Sequence, residues 1–510
     1  MIIELLEEPL IEFAEDFLCD DPKKGISTTG FYSLSNNTHR SEINYATIGT
    51  KKQVALYDSM ILKFSKPIES GSVFKIKNLS TRINNEDELE FEEFKESNEV
   101  EYVGINKKLN PDFPGFNKES CFKCKFQNDP ENNFLIKEKD ISSILKDEIK
   151  KSAKLLAAVE LYKSAYIDII ENNLSVEPDI IVIVIGEELY EQLSTIKVQN
   201  KWLNFRRFLK AEVLSLGYNI PVQLILESTI TEEKKSIQDT SMIAWNYCVA
   251  QYYKTANCTP WTLKDLDNDT CYIGISFHKV NEFEDNSLRS SIAQAFNKDG
   301  QGLVFTGKQF KWNKDVTKVA SPHLRKDYAY DLIRRVLTQY QRLNKHTPKR
   351  VVVHKTSDFW DYTEHPDYDE MGGLLQGIEE VLGRDVEIDF VSIKVTKIRV
   401  LREEKYPTLR GTYFPLSDRK AILYTSGFIP YFNTYPGTFI PSPLSIDNIG
   451  ETPIKDISKE ILALTKMNFN NADYCDSLPI TLQFSQKVGE IIQYFPENLE
   501  NPPNKYYFYM

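Results

Sequence analysis

The chain has 510 residues, 41% of them hydrophobic, with 74 acidic against 62 basic side chains and a net charge of -12. Such a length fits two or three domains, and such a composition excludes a largely disordered chain. No run approaches the ~20 apolar residues of a membrane span, and the acidic opening (Glu4, Glu7, Glu8, Glu12) is unlike a secretory leader, so a cytoplasmic protein is expected.

Ile43 to Ile48 reads as a strand. Between Glu86 and Glu101 nine acids face a single cation, Lys95; this stretch avoids phosphate. Residues 86–130 as a whole, acidic and then rich in Asn, Pro and Phe, read as an irregular surface excursion and a candidate partner-facing segment. Seven scattered cysteines build no disulfide framework, and Cys121 and Cys124 lack the second ligand pair that a four-coordinate zinc site needs. A helix around Lys146 to Glu171, the β-branched strand Ile180 to Ile185 and a helix at Glu187 to Leu193 follow, an alternation that predicts a parallel sheet.

The next segment holds Lys197, Lys201, Arg206, Arg207 and Lys210 with no acid among them. A helix from Met242 to Lys254 ends before Thr259-Pro260-Trp261, which places a domain boundary near 265. Beyond it come a strand at Cys271 to Ser276, a turn at Gly300 to Gly302 and a strand at Gly302 to Phe305. A long helix carries Leu332, Ile333, Val336, Leu337, Tyr340 and Leu343 at helical spacing, with Arg334, Arg335 and Arg342 on its other faces. The strand Arg350 to His354 follows directly. Strand, basic amphipathic helix and strand are the parts of an RNase H-like core, although other α/β folds share them. The aromatic end, Lys505 to Met510, is expected to dock.

Asn246 to Leu263, Cys271 to Lys279, Pro348 to Asp358 and Leu478 to Val488, in this order and spacing, resemble the MID and PIWI domains of a short prokaryotic Argonaute. Phe113-Pro114-Gly115-Phe116 is also found in short members. The resemblance implies an α/β protein with a Rossmann-like MID domain over residues 1–265 and an RNase H-like PIWI domain over 266–510, without N or PAZ domains. By the same resemblance Arg206 and Lys210, at i and i+4 on one helix face, match the pair that holds a guide's 5′-phosphate. Gln223, Asn246 and Lys254 match its further partners. The carboxylate of Met510 would enter this pocket, where Mg²⁺ would bridge it to guide phosphates. Many members carry tyrosine where this chain has Arg206, so the first base loses a stacking ring while the phosphate gains a charge.

Cleaving members hold two metal ions with acidic or His side chains. At the matching positions this chain has Ser276, Thr356 and Gln486, all neutral, and none replaces a carboxylate as a hard-metal ligand. His278 and Asp358 lie two residues from lost positions and return to the same strand face, so a displaced site is the alternative. The resemblance implies a guide-directed sensor without slicer activity: an RNA guide, a single-stranded DNA target, and basic channel contacts from Arg334, Arg335 and Arg342. Its partner would be a TIR–APAZ or Sir2–APAZ effector in a heterodimer, assembling further on target binding and depleting NAD in defence against plasmids or phage.

Overall fold

The computed structural model describes residues 3–510 except 37, 72–105, 172–175, 199–200, 232–237, 257, 268, 280–287, 298–301, 314–316, 364–365, 367, 401, 403–406, 438, 497–498 and 500–501. The acidic stretch Glu86 to Glu101, and most of the Gly300 to Gly302 turn, lie outside the described residues.

The chain opens on three short strands, β1 (Glu4–Leu5), β2 (Ile11–Glu12) and β3 (Leu18–Cys19), then helix α1 (Pro22–Thr29). Strand β4 (Glu42–Gly49) leads into α2 (Lys51–Phe64), whose start is fixed by a reciprocal capping box between Thr50 and Gln53. Then come β5 (Lys125–Asn128), β6 (Phe134–Leu135), α3 (Glu138–Ile144), α4 (Lys151–Glu171), β7 (Ile180–Ile185) and α5 (Glu187–Leu193). The hairpin β8 (Thr195–Val198) and β9 (Lys201–Asn204) precedes α6 (Phe205–Leu214), β10 (Val222–Leu226), α7 (Glu227–Ile230) and α8 (Thr240–Ala256).

Strands β10, β7, β4 and β5 form one sheet in that order, with β6 also on β4, and every pairing is parallel. All six residues of β7 are buried because both faces are covered. Ile181, Ile183 and Ile185 meet α4 and α6, while Ile180, Val182 and Val184 meet the core that includes α2 and α8.

One expectation fails here. Residues 106–130 are no surface excursion, since Phe113, Phe116, Phe122 and Cys124 are fully buried around Trp245, and Lys125–Asn128 adds a strand to the sheet. Widely spaced aromatics anchor an otherwise polar segment without any periodicity. Burial also pushes the Cys121 thiol up to about 11 and Cys124 to about 12.

The second sheet has nine strands. Short β11 (Thr262–Leu263) pairs with β2, and then β12 (Thr270–Lys279), β13 (Leu288–Phe296) and β14 (Gly302–Lys311) run antiparallel to one another. Helix α9 (Lys326–Asn344) leads to β15 (Arg350–Lys355), α10 (Glu370–Leu382) and β16 (Glu387–Val395). Strands β17 (Thr412–Pro415), β18 (Lys420–Leu423) and β19 (Leu444–Ile449) precede α11 (Ile454–Leu464), α12 (Ile480–Gln483) and α13 (Ser485–Ile492). The sheet order is β1-β17-β18-β19-β16-β15-β12-β13-β14, with β12, β15 and β16 parallel. Helices α9 and α10 cover one face and α12 and α13 the other.

The N-terminal segment belongs to this half as much as to the first: β1 pairs with β17, and Glu8 bonds Arg410 at 2.9 Å. The C-terminal end docks as expected. Val304 donates to the Asn504 carbonyl at 2.7 Å, and Tyr506, Phe508 and Tyr509 are buried. No helix among the described residues is long and apolar enough to cross a membrane.

Candidate nucleic-acid-binding site

Helix α6 starts at Asn204, whose Oδ1 accepts from the Arg207 amide at 3.2 Å. One turn of helix then stacks Arg206 under Lys210, both pointing toward the end of β10 and the last turn of α8. Arg206 donates through Nη2 to the Leu224 carbonyl at 3.3 Å and bonds the Tyr190 hydroxyl. Lys210 donates through Nζ to the terminal oxygen of Met510. Lys254 donates to Gln223 Oε1, which also accepts from Gln251 Nε2 at 3.0 Å.

Five of the expected residues therefore converge: Arg206, Lys210, Gln223, Lys254 and Met510. Burial, followed by Lys254, Arg206 and Lys487, holds Lys210 well below the usual lysine range. Lys254 is pushed down to about 7 by burial and then by Arg206. Three basic side chains thus crowd one hole, with exposed Lys487 near enough to repel Lys210, beside a single carboxylate, the chain terminus. An anion there would relieve both the repulsion and the desolvation. With one carboxylate beside these basic side chains, the further negative charge needed to hold a divalent cation would have to come from a ligand's phosphates.

Asn246 is not brought into this cluster. Eight residues before Lys254, about 12 Å along α8, its Oδ1 accepts from the Ala472 amide at 2.9 Å and its Nδ2 donates to Gln238 at 3.4 Å. It seats the second half of the chain on α8.

By strand alternation with Gly274 and His354, Ser276 and Thr356 fall on the α12–α13 side of the large sheet, the side from which Gln486 of α13 comes. Gly274 of β12 lies so close to α12 that a Cβ would overlap the Thr481 backbone oxygen, which explains glycine there. His354 of β15 meets Thr481 Oγ1 at 2.8 Å, and burial pushes its pKa down to about 3, so the imidazole is neutral. Ser276 lies within β12 and is buried, and Thr356 follows the end of β15 and is exposed. Gln486 lies on α13, and its side chain is outside the described residues. Of the displaced candidates, His278 packs under α13, where a Cβ at Gly489 would overlap its ring, and Asp358 is ion-paired with Lys394 at 2.5 Å. Among the described residues no group of three or more His, Cys, Asp or Glu is placed to hold a metal ion.

Helix α13 joins the two regions. Its Lys487 repels Lys210, and its Glu490 pairs with Arg207 of α6 at 2.6 Å. The sequence reading missed Lys487, Gln251 and Tyr190, because none stands in a basic run and only the fold brings them to the cluster. The structure does not place Arg334, Arg335 and Arg342 here. Helix α9 lies on the opposite face of the sheet; Arg334 packs over Tyr330, Arg335 bonds Asp331 and the Thr306 carbonyl, and Arg342 is exposed.

A curated Argonaute from Aquifex aeolicus is 24% identical over 290 residues, 56% of this chain and 35% of that protein. The Clostridium butyricum Argonaute, solved with a guide DNA and a 19-mer target DNA, superposes with a TM-score of 0.57 over 98% of this chain and 53% of its own, at 16% identity. The fold is that of Argonautes. Marinitoga piezophila Argonaute, solved with a 5′ OH guide RNA, gives a TM-score of 0.55 over 96% of this chain and 59% of its own, at 13% identity. The chain thus spans between about a third and three fifths of these Argonautes. No family model matches.

Proposed function

We propose that this Argonaute-like chain is a guide-directed nucleic-acid sensor that binds the 5′-phosphate of a small guide RNA, recognises a complementary single-stranded DNA target and does not cut it. The observation that carries the reading is the buried cluster of Arg206, Lys210 and Lys254 beside Gln223 and the chain terminus. It offers a phosphate charge-assisted bonds and release from cation repulsion. Base pairing then supplies sequence specificity, and the protein supplies shape and charge. Ser276, Thr356 and Gln486 supply no carboxylate for two-metal hydrolysis, so the output belongs to a partner chain, a TIR–APAZ or Sir2–APAZ effector.

Short 5′-phosphorylated strands should co-purify with the protein, and their absence on sequencing would overturn the proposal. The rival reading, a nuclease built on the displaced Asp358 and His278, is separated by incubating the guided protein with labelled target and Mn²⁺. The sensor leaves the target whole; cleavage abolished by Asp358→Asn decides for the nuclease.

A pH dependence follows from Lys254. Its folded pKa lies near 7, below the ordinary 10.5, so between these values the folded chain binds fewer protons than the unfolded one and stability from this group rises with pH. Phosphate restores the proton. Guide affinity therefore falls as pH rises above 7, by up to about tenfold per unit for one proton taken up. Fluorescence anisotropy between pH 6.5 and 9 should show this for a 5′-phosphorylated guide and much less for a 5′-hydroxyl guide.

A further inference from the structure

Nucleic-acid contacts expected from α9 lie on the wrong face of the large sheet, yet another surface meets the slicer end. Strands β15 and β16 are parallel, with Lys355 opposite Ser392, so both leave the sheet at one end. Thr356 and Asp358 follow β15 there, and Lys394 of β16 holds Asp358. Val395, Lys397, Ile398 and Arg399 come next, all exposed. The loop before β19 joins them: the Thr396 amide and hydroxyl both donate to the Pro443 carbonyl at 3.0 Å. Ile440, three residues from Pro443 and so within about 11 Å of it, is 52% exposed, and Phe439 beside it is 82% exposed.

Cations outnumber acids along this segment, although Asp358 pairs with Lys394 and Glu403 and Glu404 follow Arg402. From Ser392 to Arg402 there are four cations and no acid, and from Ala421 to Ile446 there is no charged residue at all, in a chain of net charge -12. Among the described residues Arg399 bonds the carbonyls of Thr396 and Ile398 in its own segment. Arg402 differs, since it docks on the Phe428 ring. An exposed ring with aliphatic neighbours and the exposed cations Lys397 and Arg399 suit a partner that offers flat apolar faces and a regular row of anions.

We propose that Phe439 and Ile440, with Lys397 and Arg399, form a stacking ledge for single-stranded nucleic acid at the slicer end of the sheet, a reading that rests on the proposed guide and target binding. Phe439 stacks on a base; Lys397 and Arg399 hold the flanking phosphates. The ledge grips the strand where cleaving relatives would cut, so it holds a target in place without hydrolysis.

The test uses the full chain loaded with a 5′-phosphorylated guide, and 2-aminopurine placed at successive positions of the guide in one series and of the DNA target in another. Stacking quenches one or two positions, and the series in which they fall identifies the strand. Phe439→Ala should abolish that quench and weaken target binding about 5- to 150-fold, whereas Phe439→Trp retains both. Lys397→Glu with Arg399→Glu should lower the salt slope of binding by about 1.4, two phosphate contacts on a single strand. Unchanged quench and affinity in Phe439→Ala overturn the ledge, as does loss of a protein contact or of self-association with nucleic-acid binding intact. Failure of the unaltered protein to take up any guide overturns the parent reading instead. Unguided single-stranded DNA then tests the ledge alone, with weaker binding by Phe439→Ala supporting it and equal binding refuting it. Phe439 is exposed, so equal unfolding midpoints will verify that the variants fold.

Discussion

Replacing Lys254 with alanine should weaken binding of a 5′-phosphorylated guide by about 30- to 1000-fold, while binding of a 5′-hydroxyl guide changes little. Lys254 is only 2% exposed, and its ammonium bonds the Gln223 amide oxygen. A charge-assisted bond to a phosphate at such a site, lost from one side, costs about 2–4 kcal/mol, which sets that range. The variant also removes one member of a mutually repelling group, so the guide-free protein should become no less stable near pH 7, and stability and affinity should move apart. Lys210→Ala should act in the same direction and also release the Met510 terminus, exposing the tail to carboxypeptidase. Equal affinities for phosphorylated and hydroxyl guides in the unaltered protein would refute the assignment of the pocket.

Residue pattern foretold part of this arrangement. Ile180 to Ile185, β-branched and without charge, could hardly be anything but a buried strand, and Leu332, Ile333, Val336, Leu337 and Tyr340 face the core of α9 as their spacing requires, while Leu343 at its end is exposed. Spacing says which side of a helix is apolar; it does not say which face of a sheet receives the helix. Arg334, Arg335 and Arg342 were legible as a polar face but not as a face turned away from α13. Strand β13 went unseen because Ser290, Ser291, Ala293, Gln294 and Ala295 carry little β propensity; its two neighbours, which pair with it from both sides, hold it extended. The Arg206 and Lys210 pair was readable because i and i+4 is a local relation. Lys487 and Gln251 reach the same cluster only through the packing of α13 and α8 on α6, and no local pattern records that.

The face of the large sheet under α9 and α10, opposite Gly274 and His354, yields the largest expected loss of stability. Lys355, the last residue of β15, points away from Thr481 into the core under α10, and both it and Glu370 are 0% exposed. Its ammonium bonds the Glu370 carboxylate and donates to His323 Nδ1 at 3.2 Å, and Glu370 Oε1 accepts from the Leu324 amide at 3.0 Å. The His323 ring lies stacked on Trp360 with centroids 3.7 Å apart. Burial works against every charge here, and yet Lys355 and His323 together hold the Glu370 carboxyl below the usual carboxylate range. Glu370→Gln leaves a buried ammonium with no countercharge and should cost about 3–5 kcal/mol, read as a lower urea midpoint at unchanged slope. Joint replacement, Lys355→Met with Glu370→Leu, removes both charges and should recover most of that loss, since a well-packed apolar pair often equals a buried ion pair. The network ties the segment after Trp312 and the segment after Thr356 to one buried charge, so Glu370→Gln should also loosen the strand end that carries Thr356 and Asp358. Hydrogen exchange at residues 356–360 would then quicken while the Arg206 cluster, on the other face, keeps its affinity for a phosphorylated guide. Equal loss of guide binding would show instead that the two faces unfold as one unit.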